Sequence, residues 1–178
     1  MKLTENVRIL GIDIENHPLW YGGGDYVYDL VFCISDKWVG DEEVRTTFID
    51  WRNQDSTILR QLKPLRARME EADAFLGHNF KHDWKGLRAL FAFMDQPHLE
   101  EKPLVDTMRC IPSGPPRSLE HLCDHFQLGK KPTVPADTWI KAIFRWDPVA
   151  REKVTHRNRQ DVILTERLYH KERELGWL

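Results

Sequence analysis

Two carboxylates share one apolar stretch near the start of the chain. In "VRILGIDIENHPLW", residues 7–20, Asp13 and Glu15 are one residue apart among side chains typical of a buried strand. Side chains two positions apart on a strand point to the same face, so these acids would lie side by side. Desolvation and like-charge repulsion oppose that arrangement. A bound cation would compensate, and without one we expect at least one raised carboxyl pKa.

Two further acids occupy positions from which they could reach this pair. Asp83 lies in the first turn of the helix predicted after the fourth strand, and Asp161 in the first turn of the last predicted helix. Mg²⁺ prefers oxygen ligands and is usually held by one or two protein carboxylates together with substrate phosphates. The four acids therefore predict a magnesium-type site. The competing interpretations are a solvated strand face for Asp13 and Glu15, and a helix-dipole preference for Asp83.

A histidine precedes the last of these acids by a short spacing. His156 comes five residues before Asp161, and in a continuous helix their side chains would point about 140° apart. They converge only if His156 lies on a loop, so we predict a break near residues 155–157. With an ordinary pKa of about 6.5, such a histidine suits a general base near neutral pH.

The elements that must position these side chains follow from periodicity and capping signals. An apolar stripe over residues 58–72 predicts a helix that kinks or restarts at Pro64, and Ser118 and Asp147 are predicted N-caps, the latter followed by Pro148. Three strands in succession, then strands alternating with helices, favour an α/β fold with a five-stranded mixed sheet flanked by helices. The strands are predicted at 7–15, 26–35, 43–50, 74–78 and 103–106, and the helices at 58–72, 80–94, 118–126, from 147, and from about 158.

Composition places the chain among soluble globular domains. It has 178 residues, 41% of them hydrophobic, with a formal net charge of −2, which suits one domain over residues 1–178. We interpret the Pro- and Gly-rich segment 110–117 as a loop rather than a linker. Three cysteines, an odd number, favour a reducing, cytoplasmic location, and no apolar run is long enough to cross a membrane.

Three segments together resemble a known family. "GIDIEN" contains D-x-E, "GHNFKHD" ends at Asp83, and "HRNRQDV" contains His156 and Asp161. In this order they resemble the three motifs of the DEDD (DnaQ-like) 3′–5′ exonucleases, in the His (DEDDh) branch, whose fold is ribonuclease H-like. The resemblance covers roughly residues 7–170, and "PLVDT" and "SLEHLCDHFQLGKK" resemble smaller parts of the family pattern.

The resemblance implies a metal-dependent 3′–5′ exonuclease that releases nucleoside monophosphates. Asp13, Glu15, Asp83 and Asp161 would hold two Mg²⁺ or Mn²⁺ ions, and His156 would be the general base. Such a pair of ions activates a water and stabilises the departing 3′ oxygen. The chain departs from the pattern at Arg157, where many relatives have Tyr, and at Asn16, where the family often has Thr.

Single-stranded DNA is the expected partner, with RNA or the 3′ ends of duplexes also possible. Phosphate contacts position a substrate without reading its sequence, and aromatic residues at 20–21 beside the glycines at 22–24 could stack on bases. No membrane or obligate protein partner is expected. The rival functions are a ribonuclease H- or resolvase-like endonuclease and a non-catalytic nucleic-acid-binding module. The residues expected to contact substrate are Asn16, Asn79, Arg157, Lys130 and Lys131.

Overall fold

The chain begins with three strands and continues with alternating strands and helices. A computed structural model describes residues 7–21, 25–111 and 117–178, without the side chains of 17–21 and 25–29. The glycines at 22–24, the side chains of the aromatic residues at 20–21 and most of the predicted loop at 110–117 therefore lie outside what the structure describes. The elements are β1 (Ile9–Tyr21), β2 (Asp25–Trp38), β3 (Arg45–Phe48), α1 (Asp55–Glu71), β4 (Ala74–Gly77), α2 (Phe80–Phe93), β5 (Leu104–Asp106), α3 (Thr107–Cys110), α4 (Leu119–His125), α5 (Ala136–Phe144) and α6 (Pro148–Glu174).

The five strands form one mixed sheet in the order β3-β2-β1-β4-β5. The central strand β1 runs antiparallel to β2 and parallel to β4. The outer pairs are β2–β3, which is antiparallel, and β4–β5, which is parallel. This sheet with its flanking helices is a ribonuclease H-like arrangement, and the predicted fold class is confirmed.

Strand β1 separates two buried layers by the alternation of its side chains. Leu10, Ile12 and Ile14 are buried in the cluster formed with α1 and α2. The odd-numbered positions face the other way: Ile9 packs near Tyr169 of α6, and a Cβ on Gly11 would lie 3.5 Å from Val162. The same alternation turns Asp13 and Glu15 toward α6.

Helix α6 corrects the predicted break near residues 155–157. It runs without interruption from Pro148 to Glu174, and its N-cap is Asp147, whose side chain accepts a hydrogen bond from Ala150 N at 2.8 Å. The break is absent because Val154 and Asn158 continue one buried stripe of this helix. Residues of moderate helix propensity do not interrupt a helix whose buried face continues.

Other local predictions have mixed outcomes. The predicted cap at Ser118 is confirmed, since its side chain accepts from His121 N at 3.3 Å. The predicted restart at Pro64 is wrong, because α1 continues through it. Pro64 is exposed while Leu62 and Leu65 on either side are buried, so packing of the stripe outweighs the lost backbone bond. No helix in the described part of the chain is both long and apolar enough to span a bilayer.

Candidate metal centre

Three carboxylates converge where β1 meets α6. Asp13 and Glu15 come from β1 and Asp161 from α6, and each offers an oxygen within 4.8 Å of the others. We call these residues the carboxylate trio. Their convergence follows from strand alternation on β1 and from the packing of α6 across it. The predicted convergence of these three acids is therefore present in the structure.

Asp83, the fourth predicted acid, lies at the edge of the trio. It is buried in the first turn of α2, and its Oδ1 accepts a hydrogen bond from the backbone N of Ile14 at 3.1 Å. This bond ties the start of α2 to the β1 residue between Asp13 and Glu15. The charge of Asp83 is close enough to raise the pKa of Asp13, so its carboxylate interacts electrostatically with the trio.

Two basic side chains pair with the trio. Lys131 Nζ lies 2.6 Å from Asp161 Oδ2, and Arg157 Nε lies 3.4 Å from Glu15 Oε1. Sequence reasoning expected both residues to contact substrate, whereas the structure brings them onto the acids. Arg157 comes from α6 one turn before Asp161, so the helical spacing alone places both on the trio's side.

Asn158 is a site residue to which the sequence analysis assigned no role. It is fully buried, its Nδ2 donates to Asp13 Oδ2 at 2.6 Å, and its Oδ1 lies 3.5 Å from Cys33 Sγ. Asn158 precedes Asp161 by three residues, so the helical period puts both on one face. That spacing is the signal from which its position could have been predicted.

The remaining predicted residues do not join the trio. His156 is exposed on α6, and the unbroken helix directs it about 140° away from Asp161, so the condition for its role as base is not met.

Three residues predicted to contact substrate also do not join the trio. Asn16 pairs with His82, with Nδ2 3.1 Å from Nε2. Asn79 is exposed with a positive φ of 60°, and its backbone N donates to Asp106. Lys130 is exposed.

Burial and mutual repulsion make these carboxyls difficult to ionise. Burial raises the pKa of Glu15 and of Asp83 to about 7. It raises the pKa of Asp13 well above its ordinary value, and Asp83, Asp161 and Glu15 raise it further. Burial also raises the pKa of Asp161, while the Lys131 cation opposes that rise. The expectation of a raised pKa in the absence of a cation is confirmed.

The donor set fits a hard divalent cation. Asp161 Oδ1 is buried and accepts no hydrogen bond from the described residues, although buried polar atoms are normally paired. Carboxylate oxygens are the ligands that Mg²⁺ and Mn²⁺ prefer. No sequence model of a known protein family matches the chain, and no curated protein matches it either.

Proposed function

We propose that the chain is a metal-dependent 3′–5′ exonuclease that acts on single-stranded DNA and releases nucleoside monophosphates. The observation that carries this proposal is the carboxylate trio, with Asp161 Oδ1 left buried and unpaired. The ribonuclease H-like arrangement of the sheet supports it. So does the motif order of the sequence, in which Asp13 and Glu15 precede Asp83 and Asp161.

The trio is the part of the chain that would hold Mg²⁺ or Mn²⁺, with Asp83 beside it. When bound, the metal supplies Lewis acidity toward a water and toward the departing 3′ oxygen of a phosphodiester. Asn158 fixes the rotamer of Asp13 through its hydrogen bond to Oδ2, as supporting groups around a metal site commonly do. The chain thus holds its ligands in place before any substrate arrives.

Basic residues beside the acids suit an anionic substrate. Arg157 and Lys131 place positive charge directly against the trio, which favours the approach of a phosphate. Asn16, the neighbour of Glu15 in the chain, and His82 offer hydrogen-bond groups beside the trio. Such groups suit the binding of the 3′ end of a DNA strand. No histidine whose side chain the structure describes forms a hydrogen bond or ion pair with the trio, so the proposal assigns no histidine base.

The depth of the trio favours a free strand end over an intact duplex. Only 17% of the Glu15 side chain and 3% of the Asp161 side chain are exposed. A phosphate inside a duplex is flanked by a second strand, whereas a single strand can enter a recessed site end first. Single-stranded DNA is therefore the proposed substrate, and RNA is a second arm of the test.

The test uses a single-stranded DNA oligonucleotide labelled at its 5′ end, with Mg²⁺, Mn²⁺ or EDTA. Wild type should give a descending ladder with either metal, and Asp13→Asn should abolish it. Asp124→Asn is the matched control, because Asp124 is an exposed acid on α4. Internal fragments would replace the proposal with an endonuclease. Metal-dependent binding without cleavage of DNA or RNA would replace it with a binding module.

A further inference from the structure

Two cations of the chain already occupy part of the space around the trio. Lys131 lies against Asp161, and Arg157 against Glu15. Their side chains are only 20% and 23% exposed, so water screens these pairs less than it screens surface pairs. A metal ion entering the trio therefore meets positive charge that is already close to it.

Arg157 is held in position by contacts other than its ion pair. Its Nη1 donates to the carbonyl oxygen of Pro132 at 3.0 Å, and its guanidinium lies 5.5 Å from the ring centre of Trp139. Pro132 is the neighbour of Lys131, so both cations are fixed at one corner of the site. These contacts keep the guanidinium of Arg157 beside the trio.

Each acid of the trio has one oxygen engaged by the chain. Asn158 donates to Asp13 Oδ2, Arg157 pairs with Glu15 Oε1, and Lys131 pairs with Asp161 Oδ2. The contact of Glu15 Oε1 is an ion pair without a hydrogen bond, and Asp161 Oδ1 has no partner among the described residues. Mg²⁺ is usually held by one or two protein carboxylates, so the remaining oxygens of the three acids are enough for a single Mg²⁺ or Mn²⁺ ion.

We infer that Arg157 and Lys131 take the place of a second divalent ion, so that the centre binds one. The trio and Asp83 are four carboxylates, and when ionised they balance the charge of two divalent ions. With two fixed cations in contact with them, one divalent ion completes the balance, and a second would leave excess positive charge in a part-buried site. The inference rests on the proposed function only in treating the trio as a metal centre, and it revises the expected two ions to one.

The test counts Mn²⁺ bound by the full chain, from the electron paramagnetic resonance signal of unbound Mn²⁺, with and without thymidine 5′-monophosphate. Wild type should bind one ion in both conditions. The double variant Lys131→Gln/Arg157→Gln should bind two, and its first ion at least about tenfold more tightly. Lys131→Arg, which keeps the charge, should stay at one. Lys130→Gln, a change at the exposed neighbouring lysine, should also stay at one.

The outcomes separate this inference from the proposed nuclease activity. Two ions of similar affinity on wild type would overturn the inference and leave the exonuclease proposal standing. One ion on a chain that cleaves no nucleic acid would uphold the inference and overturn the exonuclease proposal. Wild type that binds no Mn²⁺, or a double variant that is folded by circular dichroism and still binds one ion, would overturn the inference.

Discussion

Glu15 illustrates the cost in stability of burying the carboxylate trio in the folded chain. Burial raises its pKa from 4.5 to about 7, so over this range the folded state keeps a proton that the unfolded chain releases. A proton held more tightly in the folded state means that stability falls as the pH rises between these two values. Above about pH 7 the penalty is complete. A bound cation would offset it.

Glu15→Gln should therefore stabilise the metal-free protein at pH 8 and have little effect at pH 5. The expected gain at pH 8 is about 1–3 kcal/mol, because the variant removes a buried charge that repels Asp13 and Asp161. Urea unfolding in EDTA at both pH values measures it. Glu152→Gln, at an exposed position of α6, is the control and should show no such pH dependence. An equal effect of Glu15→Gln at pH 5 and pH 8 would contradict the prediction.

The continuous helix α6 makes a sharp prediction about His156. His156→Ala should change the rate of cleavage by less than about twofold, while Asp161→Asn should lower it by about 10³-fold or more. The reason is that Asp161 belongs to the trio and His156 is exposed on another face. Single-turnover rates on single-stranded DNA measure both, with His121→Ala as the exposed-histidine control. A large loss for His156→Ala would mean that α6 opens near this residue when substrate binds.

At the level of elements, the contact between β1 and α2 sets the position of Asp83. Gly86 of α2 faces Ile14 of β1, and a Cβ on Gly86 would lie 2.5 Å from Ile14 Cδ1. Ile14 also donates its backbone N–H to Asp83. The absence of a side chain at Gly86 therefore lets α2 approach β1 closely enough for that hydrogen bond.

Gly86→Ala should destabilise the protein by about 1–2 kcal/mol, because overpacking outweighs the gain in helix propensity. In an Ile14→Val background, which lacks Cδ1, the same change should be neutral or stabilising. The coupling in this double-mutant cycle should be about 1 kcal/mol, measured by urea unfolding. Ile143→Val, in a separate apolar cluster, is the control background, in which Gly86→Ala should keep its full cost. Additive effects of Gly86→Ala and Ile14→Val would show that the contact relaxes freely.

Strand elements were predicted well from the sequence because alternation is a local signal. The placement of Asp13 and Glu15 on one face of β1, and the stepping that predicts α2, depend on neighbours a few residues away. Helix α5 was not predicted. The break before Asp161 was predicted wrongly, because an unbroken α6 depends on tertiary burial of its stripe. Propensity gives way to such packing.

The site was predictable in its acids and not in its cations. The alternation of β1 and the position of Asp161 in the last predicted helix were enough to predict that Asp13, Glu15 and Asp161 lie close together. The pairing of Lys131 with Asp161 depends on the path of the segment between α4 and α5. No local pattern encodes that path, so only the folded structure brings this lysine to the trio.

On the scale of the whole molecule, α6 joins the apolar clusters on its side of the sheet. Ala150 and Val154 pack with residues of β2 and α5. Leu164 and Leu168 pack with α4, and Tyr169 packs with β1, β4 and β5. One helix thus contributes to three clusters along its length. Such sharing predicts that these layers unfold together as a single cooperative unit.

Leu168→Ala should lower the free energy of unfolding by about 2–5 kcal/mol, because it opens a cavity in a fully buried cluster. If the chain is one cooperative unit, the loss should move the urea transition seen by far-UV circular dichroism and the one seen by tryptophan fluorescence by the same amount. Trp84 and Trp177 pack on different clusters, so fluorescence reports from more than one part of the molecule.

Leu175→Ala is the matched control, since Leu175 is 41% exposed just beyond α6 and should cost less than about 0.5 kcal/mol. A transition that separates into two steps in Leu168→Ala, with one step unchanged from wild type, would show that the α1–α2 layer folds independently of α6. In that case Asp83 and Asp161 would belong to separately folding units. The proposed metal centre could then be lost while part of the fold remains, and any Mn²⁺ binding would disappear in the first of the two steps.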